Sequence, residues 1–313
     1  MRAVILLALV LAACSPQLPV APAAPAIPLS DRLLDDVRIL SADDMEGRLV
    51  GSPGGAKARA YILDRFREIG LAPALGGDFV HPITVKRGEQ AVAGANLLAL
   101  VPGTGGADRA LVVMAHYDHV GVRDAIYNGA DDNASGVATL LMIAASLKQS
   151  APKHDVILAV VDAEEGGIQG SRIMVADPAF KPLLDGTVLA VNFDMLSRSD
   201  KNELYVSGAY HFPWLKPRLE AIAREAKVNL LLGHDTPEPK ADDWTTQSDH
   251  LAFHRIGRPW VYFGVEDHPD YHRPTDDFSA IPQDFFRRSA ATAELAVRTF
   301  DRDLEAIAAE AGR

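Results

Sequence analysis

Five short segments of the chain gather carboxylates and imidazoles. They are 115–119 (AHYDH), 129–136 (GADDNASG), 162–167 (DAEEGG), 192–194 (NFD) and 270–276 (DYHRPTD). Brought into one place, so many acidic groups would repel one another unless something positive lay between them. The only cysteine is Cys14, which excludes an internal disulfide and a cysteine-based zinc site. The donors on offer are imidazole nitrogen and carboxylate oxygen. They suit a hard or borderline divalent cation, and their number suits two cations better than one. Singly, each segment also has a plain use. Asp132-Asn133 ahead of an apolar stretch could cap a helix, Glu164-Glu165 before two glycines could be a solvated turn, and a lone histidine at a strand end could simply be hydrogen-bonded.

What would position these segments is legible around them. Residues 95–101, 110–116, 156–164, 187–194 and 258–264 are apolar runs rich in Val, Leu and Ala without polar alternation, the pattern of strands buried on both faces. Between them, Ser30 reads as the cap of a helix carrying Leu33, Leu34, Val37 and Leu40, and a second helix is expected over 56–69, ended by Gly70. Further helices are expected over 134–149, 213–227 and 282–311. Alternation of this kind predicts a single α/β domain with a mixed, largely parallel central sheet flanked by helices on both faces. Ligands of such sheets bind beyond the carboxyl ends of the strands. His116, Asp162 and Asp194 stand where three of the runs end, and the fifth segment follows the run around Val261.

The 313 residues are 48% hydrophobic and 23% charged, a globular balance that rules out a disordered or collagen-like chain. A net charge of −11 argues against a nucleic-acid partner. The first thirty residues have a different character. Residues 3–13 are consecutively apolar, too short for a membrane span of about 20 residues and suited to the core of a signal peptide. Leu11-Ala12-Ala13-Cys14 resembles the lipobox of bacterial lipoproteins, which implies lipidation at Cys14 and anchoring by acyl chains. Ser15 after that cysteine resembles the outer-membrane kind. Residues 15–29 follow as a Pro/Ala-rich spacer with proline at every third position: Pro16, Pro19, Pro22, Pro25 and Pro28. At about 3.1 Å per residue, this polyproline-type tether would hold the domain roughly 45 Å from the bilayer. The organisation expected is therefore a signal segment 1–14, a spacer 15–29 and one domain 30–313. The protein would be exported and lipid-anchored, facing the periplasm of a Gram-negative bacterium.

In order, AHYDHVG, NGADDNASG, DAEEGG, NFDM and DYHRPTDD resemble the M28 family of co-catalytic zinc aminopeptidases, as do 47–71 and 247–264. The resemblance implies a fold with a mixed sheet of about eight strands and two Zn²⁺ ions per chain, Co²⁺ and Mn²⁺ being compatible with the same donors. It assigns His116 and Asp194 to one ion, Glu165 and His272 to the other, and Asp131 as the bridge. It makes Asp118 the group that orients His116, Glu164 the general base and Tyr271 a stabiliser of the oxyanion. Three carboxylates and one bridging hydroxide would balance the charge of two zinc ions. Glu164 would take the proton of that hydroxide's parent water as it attacks the carbonyl, and later deliver it to the leaving amine. The implied substrates are peptides with a free N-terminus.

With that set filled, His119, His250 and His268 are expected to be structural or to support the ligands, and Ser248 and Asp249 to cap a helix, the alternative for Asp249 being a place in the pocket lining. Trp214 and Trp244 are expected to pack, and 234–249 to form an acidic loop near the site. Gly103-Thr104-Gly105-Gly106 fits no dinucleotide fingerprint, 51–57 lacks the ending of a phosphate loop, and no G-x-S-x-G is present. Two alternatives share the resemblance: a glutaminyl-peptide cyclotransferase with one zinc, and a non-catalytic binding relative of the same fold.

Overall fold

A computed structural model describes residues 28–106, 108–237 and 242–313. The expected signal segment with Cys14, and the spacer up to residue 27, lie outside the described residues. The chain opens with α1 (Leu29–Leu40) and α2 (Pro53–Ile69). Ser30 lies inside α1, and Pro28 precedes the helix without a side-chain cap. In α2 the cap is Ser52, whose hydroxyl accepts from the Gly55 N–H, and Pro53 takes the first helical position, where its missing N–H costs nothing. Gly70 ends α2 at φ 75°, the left-handed conformation that glycine adopts without strain.

The strands follow in order: β1 (Ala72–Pro73), β2 (Val80–Arg87), β3 (Gln90–Val101), β4 (Ala110–His116), the small ribbon β5 (Gly121–Val122) and β6 (Ile126–Tyr127), β7 (Asp155–Val161), β8 (Thr187–Phe193), β9 (Glu203–Ser207), β10 (Asn229–Leu232) and β11 (Trp260–Gly264). Nine of them form one sheet in the order β1-β3-β7-β4-β8-β11-β9-β10, with β2 paired to β3. β7, β4, β8 and β11 run parallel to one another at its centre, and the antiparallel pairs lie towards the edges. This is a mixed sheet with a parallel heart, as the apolar runs predict.

Helices α3 (Gly136–Gln149), α4 (Gln169–Ala176), α5 (Lys181–Gly186), α6 (Lys216–Glu225), α7 (Leu251–Arg255), α8 (Gln283–Arg302) and α9 (Leu304–Glu310) cover both faces. The expected helix 282–311 is two, broken at Asp303. The two-residue side-chain period of β4 explains the layering. Leu111, Val113 and Ala115 join the core under α1, α2, α3, α6, α8 and α9, while Ala110, Val112 and Met114 join the core under α4, α5 and α7. α3 is buried along nearly its whole length, and Leu140 at its centre is fully inaccessible. Leu140→Ala should therefore lower stability by about 2–5 kcal/mol. Urea unfolding of the metal-free protein checks this, and a loss below about 1 kcal/mol would show that α3 does not anchor the core.

Candidate metal centre

Because β4, β7, β8 and β11 are parallel, their carboxyl ends lie along one edge. β4 ends at His116, β7 leads into 162–167, β8 into Asp194, and β11 into the loop carrying His268 and His272. Residues 130–135, an irregular helical turn before α3, reach the same edge. Among the non-glycine residues here that adopt left-handed backbone conformations are Ala163 (φ 60°), Met195 (φ 60°) and His272 (φ 52°). Each is, or adjoins, a group aimed into the site, and such strain concentrates where side-chain direction matters more than backbone comfort.

The donors fall into two overlapping groups, within each of which the donor atoms lie no more than 4.8 Å apart. One comprises His116, Asp132 and Asp194, with His116 Nε2 3.2 Å from Asp194 Oδ1 and 3.5 Å from Asp132 Oδ1. The other comprises His119, Asp132, Glu165 and His272. There His272 Nε2 lies 3.1 Å from Asp132 Oδ2 and 3.3 Å from Glu165 Oε2, and His119 Nδ1 lies 2.7 Å from Glu165 Oε1. Of the residues named from the sequence, His116, Glu165, Asp194 and His272 come together here.

Asp131 does not. The shared carboxylate is that of Asp132, its neighbour. Asp131 turns the other way: its Oδ1 accepts from the Ser197 N–H at 2.6 Å and hydroxyl at 2.7 Å, and its Oδ2 meets His268 Nε2 at 3.1 Å. Asp132 and Asn133 have non-helical dihedrals, so successive side chains point to opposite sides as they do in extended chain. Asp131, Asn133 and Ser135 bind the loop to the end of β8, and Asp132 alone faces inward. Asn133 receives the Gly136 and Met195 N–H groups and donates to the Phe193 carbonyl. Ser135 receives the Leu196 N–H.

Asp118 lies against His116 and has a second task besides. His116 Nδ1 lies 3.1 Å from the backbone carbonyl of Asp118 and 3.7 Å from its carboxylate. That carboxylate accepts the N–H groups of Glu164 at 3.0 Å and Glu165 at 3.3 Å, and so sets the turn that carries both glutamates.

The site also has positioning groups beyond those assigned from the sequence. Arg48 is fully buried, and its guanidinium donates to five carbonyls: Leu40, Tyr117, Asn128, Gly129 and Asp132. Burial pushes it down to about 10 against the pull of Asp132, Asp276, Asp118 and Glu165. Asp276 clamps the same loop from the other side, accepting the N–H groups of Asp131 and Asp132. Ser248 does not cap α7 but donates to Asp194 Oδ2 at 2.7 Å. Asp249 does not cap it either. It is buried with neither carboxylate oxygen hydrogen-bonded, and burial pushes it up to about 7.

Glu164 lies with His116, Asp132, Glu165, Asp194, Tyr271 and His272 in the wall of a cavity of about 280 Å³. Burial raises its carboxyl well above the usual carboxylate range, with His116 opposing and Asp249 and Asp194 adding. Burial also works against charge on His116 and His272, yet Asp194 lifts His116 well above the usual imidazole range, and Asp132 and Glu165 lift His272 to about 10. The carboxylates thus call for positive charge whatever its source. The ring of Tyr271 stacks on His272 at 4.0 Å between centroids. Thr246 and Gln247, from the 234–249 segment, reach the cavity, while Trp244 packs under the sheet and Trp214 packs against the opposite core. His250 is buried against the Trp244 carbonyl at 2.9 Å and pushed down to about 4 by burial. A larger cleft, about 850 Å³, opens where the central strands begin, between Arg109, Asp185 and Arg258, but no histidine lines it.

The donor set fits zinc. Its nitrogens and oxygens are closely spaced and mostly buried, and among the described residues His119 Nδ1, His119 Nε2 and Glu165 Oε1 make no well-aligned hydrogen bond, an arrangement that is costly unless something else binds them.

The description "Peptidase family M28" matches residues 96–297, well over half of the chain. Aminopeptidase YwaD of Bacillus subtilis is 29% identical over 196 residues, covering 59% of this chain and 40% of that protein. The alkaline phosphatase isozyme conversion protein of Escherichia coli is 26% identical over 185 residues, covering 53% of this chain and 51% of that one. The chain thus spans about half the length of these relatives or less. Among solved structures, BSAP, a zinc aminopeptidase from Bacillus subtilis, superposes with a TM-score of 0.66 at 17% identity, covering 86% of this chain and 94% of that one. Porphyromonas gingivalis glutaminyl cyclase superposes with a TM-score of 0.68 at 18% identity, covering 88% and 98%. Likeness at this identity shows the fold alone.

Arg48→Lys keeps the charge but offers three donors where five are used. It should destabilise the protein by about 2–5 kcal/mol through the buried carbonyls left without partners. Denaturant titration reads this, and a change below about 1 kcal/mol would mean that the loops hold without the guanidinium.

Proposed function

The chain belongs to peptidase family M28, and from that premise we propose that it is a metal-dependent aminopeptidase using two zinc ions to remove residues from peptides with a free N-terminus. The observation that carries this is the sharing of Asp132 between two donor groups beside the cavity that Glu164 lines. His116 and Asp194 would hold one ion, Glu165 and His272 the other, and Asp132 both. Co²⁺ and Mn²⁺ suit the same donors.

Bound zinc would polarise the scissile carbonyl and lower the pKa of a water held at the site. Glu164 takes that water's proton as the water attacks, and then delivers it to the departing amine. A carboxyl raised by burial is suited to giving the proton back. Asp118, by fixing the N–H groups of Glu164 and Glu165, keeps the first available for proton transfer and the second for the metal. Tyr271, on the cavity wall, is the hydroxyl available to the developing oxyanion. The fold is equally that of a glutaminyl cyclase, and two donor groups favour the two-metal hydrolase.

The same proposal places the enzyme at the outer membrane, lipid-anchored through Cys14 and facing the periplasm of a Gram-negative bacterium. The support is the apolar run 3–13 followed by Leu11-Ala12-Ala13-Cys14. Among the described residues no helix is long and apolar enough to cross a membrane.

The deciding experiment pairs metal analysis of the protein with hydrolysis of aminoacyl amides and their N-blocked counterparts. Two zinc ions per chain and cleavage of the free substrates alone are expected. One ion, or equal cleavage of blocked substrates, would overturn the proposal. Glu164→Ala should retain both ions while turnover falls by at least about 10²–10⁴-fold, and loss of metal in parallel would show that Glu164 is a ligand. Asp132→Asn should lose most of its zinc whereas Asp131→Asn keeps it. The opposite pattern would restore Asp131 as the bridge.

A further inference from the structure

His119 is inaccessible to solvent, and among the described residues neither of its ring nitrogens makes a well-aligned hydrogen bond. A buried imidazole with two orphaned nitrogens is expensive as mere packing, since even a neutral ring must desolvate a donor and an acceptor. Its Nδ1 is aimed at a specific place, 2.7 Å from Glu165 Oε1 and 3.6 Å from Asp132 Oδ2. Glu165 Oε1 is itself orphaned. The ring is also held from behind. A Cβ on Gly129 would come within 2.6 Å of His119 Cγ and Cδ2, and Gly129 sits at φ 56° in the loop that carries Asp132. Ring and carboxylate are therefore fixed to each other by the same few residues.

We propose that His119 is a further metal ligand, which joins Asp132, Glu165 and His272 around one ion and makes the two metal positions unequal. This rests on the two-zinc reading. One position then has four protein donors, the complement of a closed, tightly holding zinc site. The other, His116, Asp132 and Asp194, has three, the complement that leaves room for a reacting ligand. His116, Asp132, Glu165, Asp194 and His272 all line the cavity, whereas His119 lies outside its wall and would close its ion from the side away from the cavity. The consequence is ordered loading, with the four-donor position filled first and the three-donor position exchanging more readily and facing the substrate carbonyl.

The test reads metal directly. Titration of the metal-free protein with Zn²⁺ against a chelator should resolve a tight and a weaker binding event. In His119→Ala the tight event should weaken by more than about 100-fold, beyond the 10–100-fold that loss of an orienting partner produces, with the weaker event little changed. Zinc X-ray absorption on the wild-type protein does not depend on the variant folding. It should count three imidazoles over two ions, and a count of two overturns the proposal, as does an unchanged tight event in the variant. A wild-type protein that takes up a single ion would sink the two-zinc reading separately. Two imidazoles on that ion would still support His119 as a ligand, and one would not.

Discussion

Buried negative charge is the constraint that organises this molecule. Asp118, Asp131, Asp132, Asp162, Asp194, Asp249 and Asp276 are all buried, most of them near one edge of the sheet. A buried carboxylate is tolerable only when hydrogen-bonded or paired, and most of these solve the problem with the backbone. Asp118 takes two N–H groups from the glutamate turn, Asp276 takes two from the Asp131-Asp132 loop, and Asp162 takes those of Ala95 and Ala163 with the Tyr117 hydroxyl. Asp131 uses Ser197. Among the described residues, Asp132 and Glu165 take no backbone donor and face imidazoles, and Asp194 adds to its imidazole the Ser248 hydroxyl. This division separates scaffold from site: carboxylates that capture N–H groups build the loops, and those left to imidazoles are the candidate metal donors.

Arg48 belongs to the same economy of charge. Its guanidinium is buried among carbonyls rather than paired with one acid, so it ties the end of α1, the turn after β4 and the loop before α3 into one piece without neutralising any ligand. A direct salt bridge to Asp132 would compete with a metal. Carbonyl acceptors leave that carboxylate free and still deliver a positive field to the site.

The parts legible in the sequence were those where one physical demand dominates. β4, β7 and β8 are buried on both faces, so their runs are uniformly apolar and their ends mark the edge where His116, Glu165 and Asp194 emerge. β2 was missed. It alternates between buried and exposed positions, pairs at the margin with β3, and contains Pro82, all of which weaken the signal. Within the site, adjacency defeated the sequence. Asp131 and Asp132 are chemically identical, and only the local turn of the backbone decides which one faces inward. His119 was set aside because an expected ligand set was already full, although its nearness to His116 was plain. Arg48 had no periodic or pairwise pattern, since its partners are carbonyls and carry no mark in the sequence.

Shape alone does not choose between the chemistries that this fold supports. A zinc aminopeptidase and a glutaminyl cyclase superpose on the chain about equally well. The choice must come from donors, and the relevant question is whether enough of them remain for a second ion once one is satisfied. With His119 counted, the position at Glu165 and His272 has a full complement even though Asp132 is shared. His116 and Asp194 then have no role in holding that ion, and they still converge on the other oxygen of Asp132. An imidazole and a carboxylate buried there with few other partners are what supports the proposed second ion.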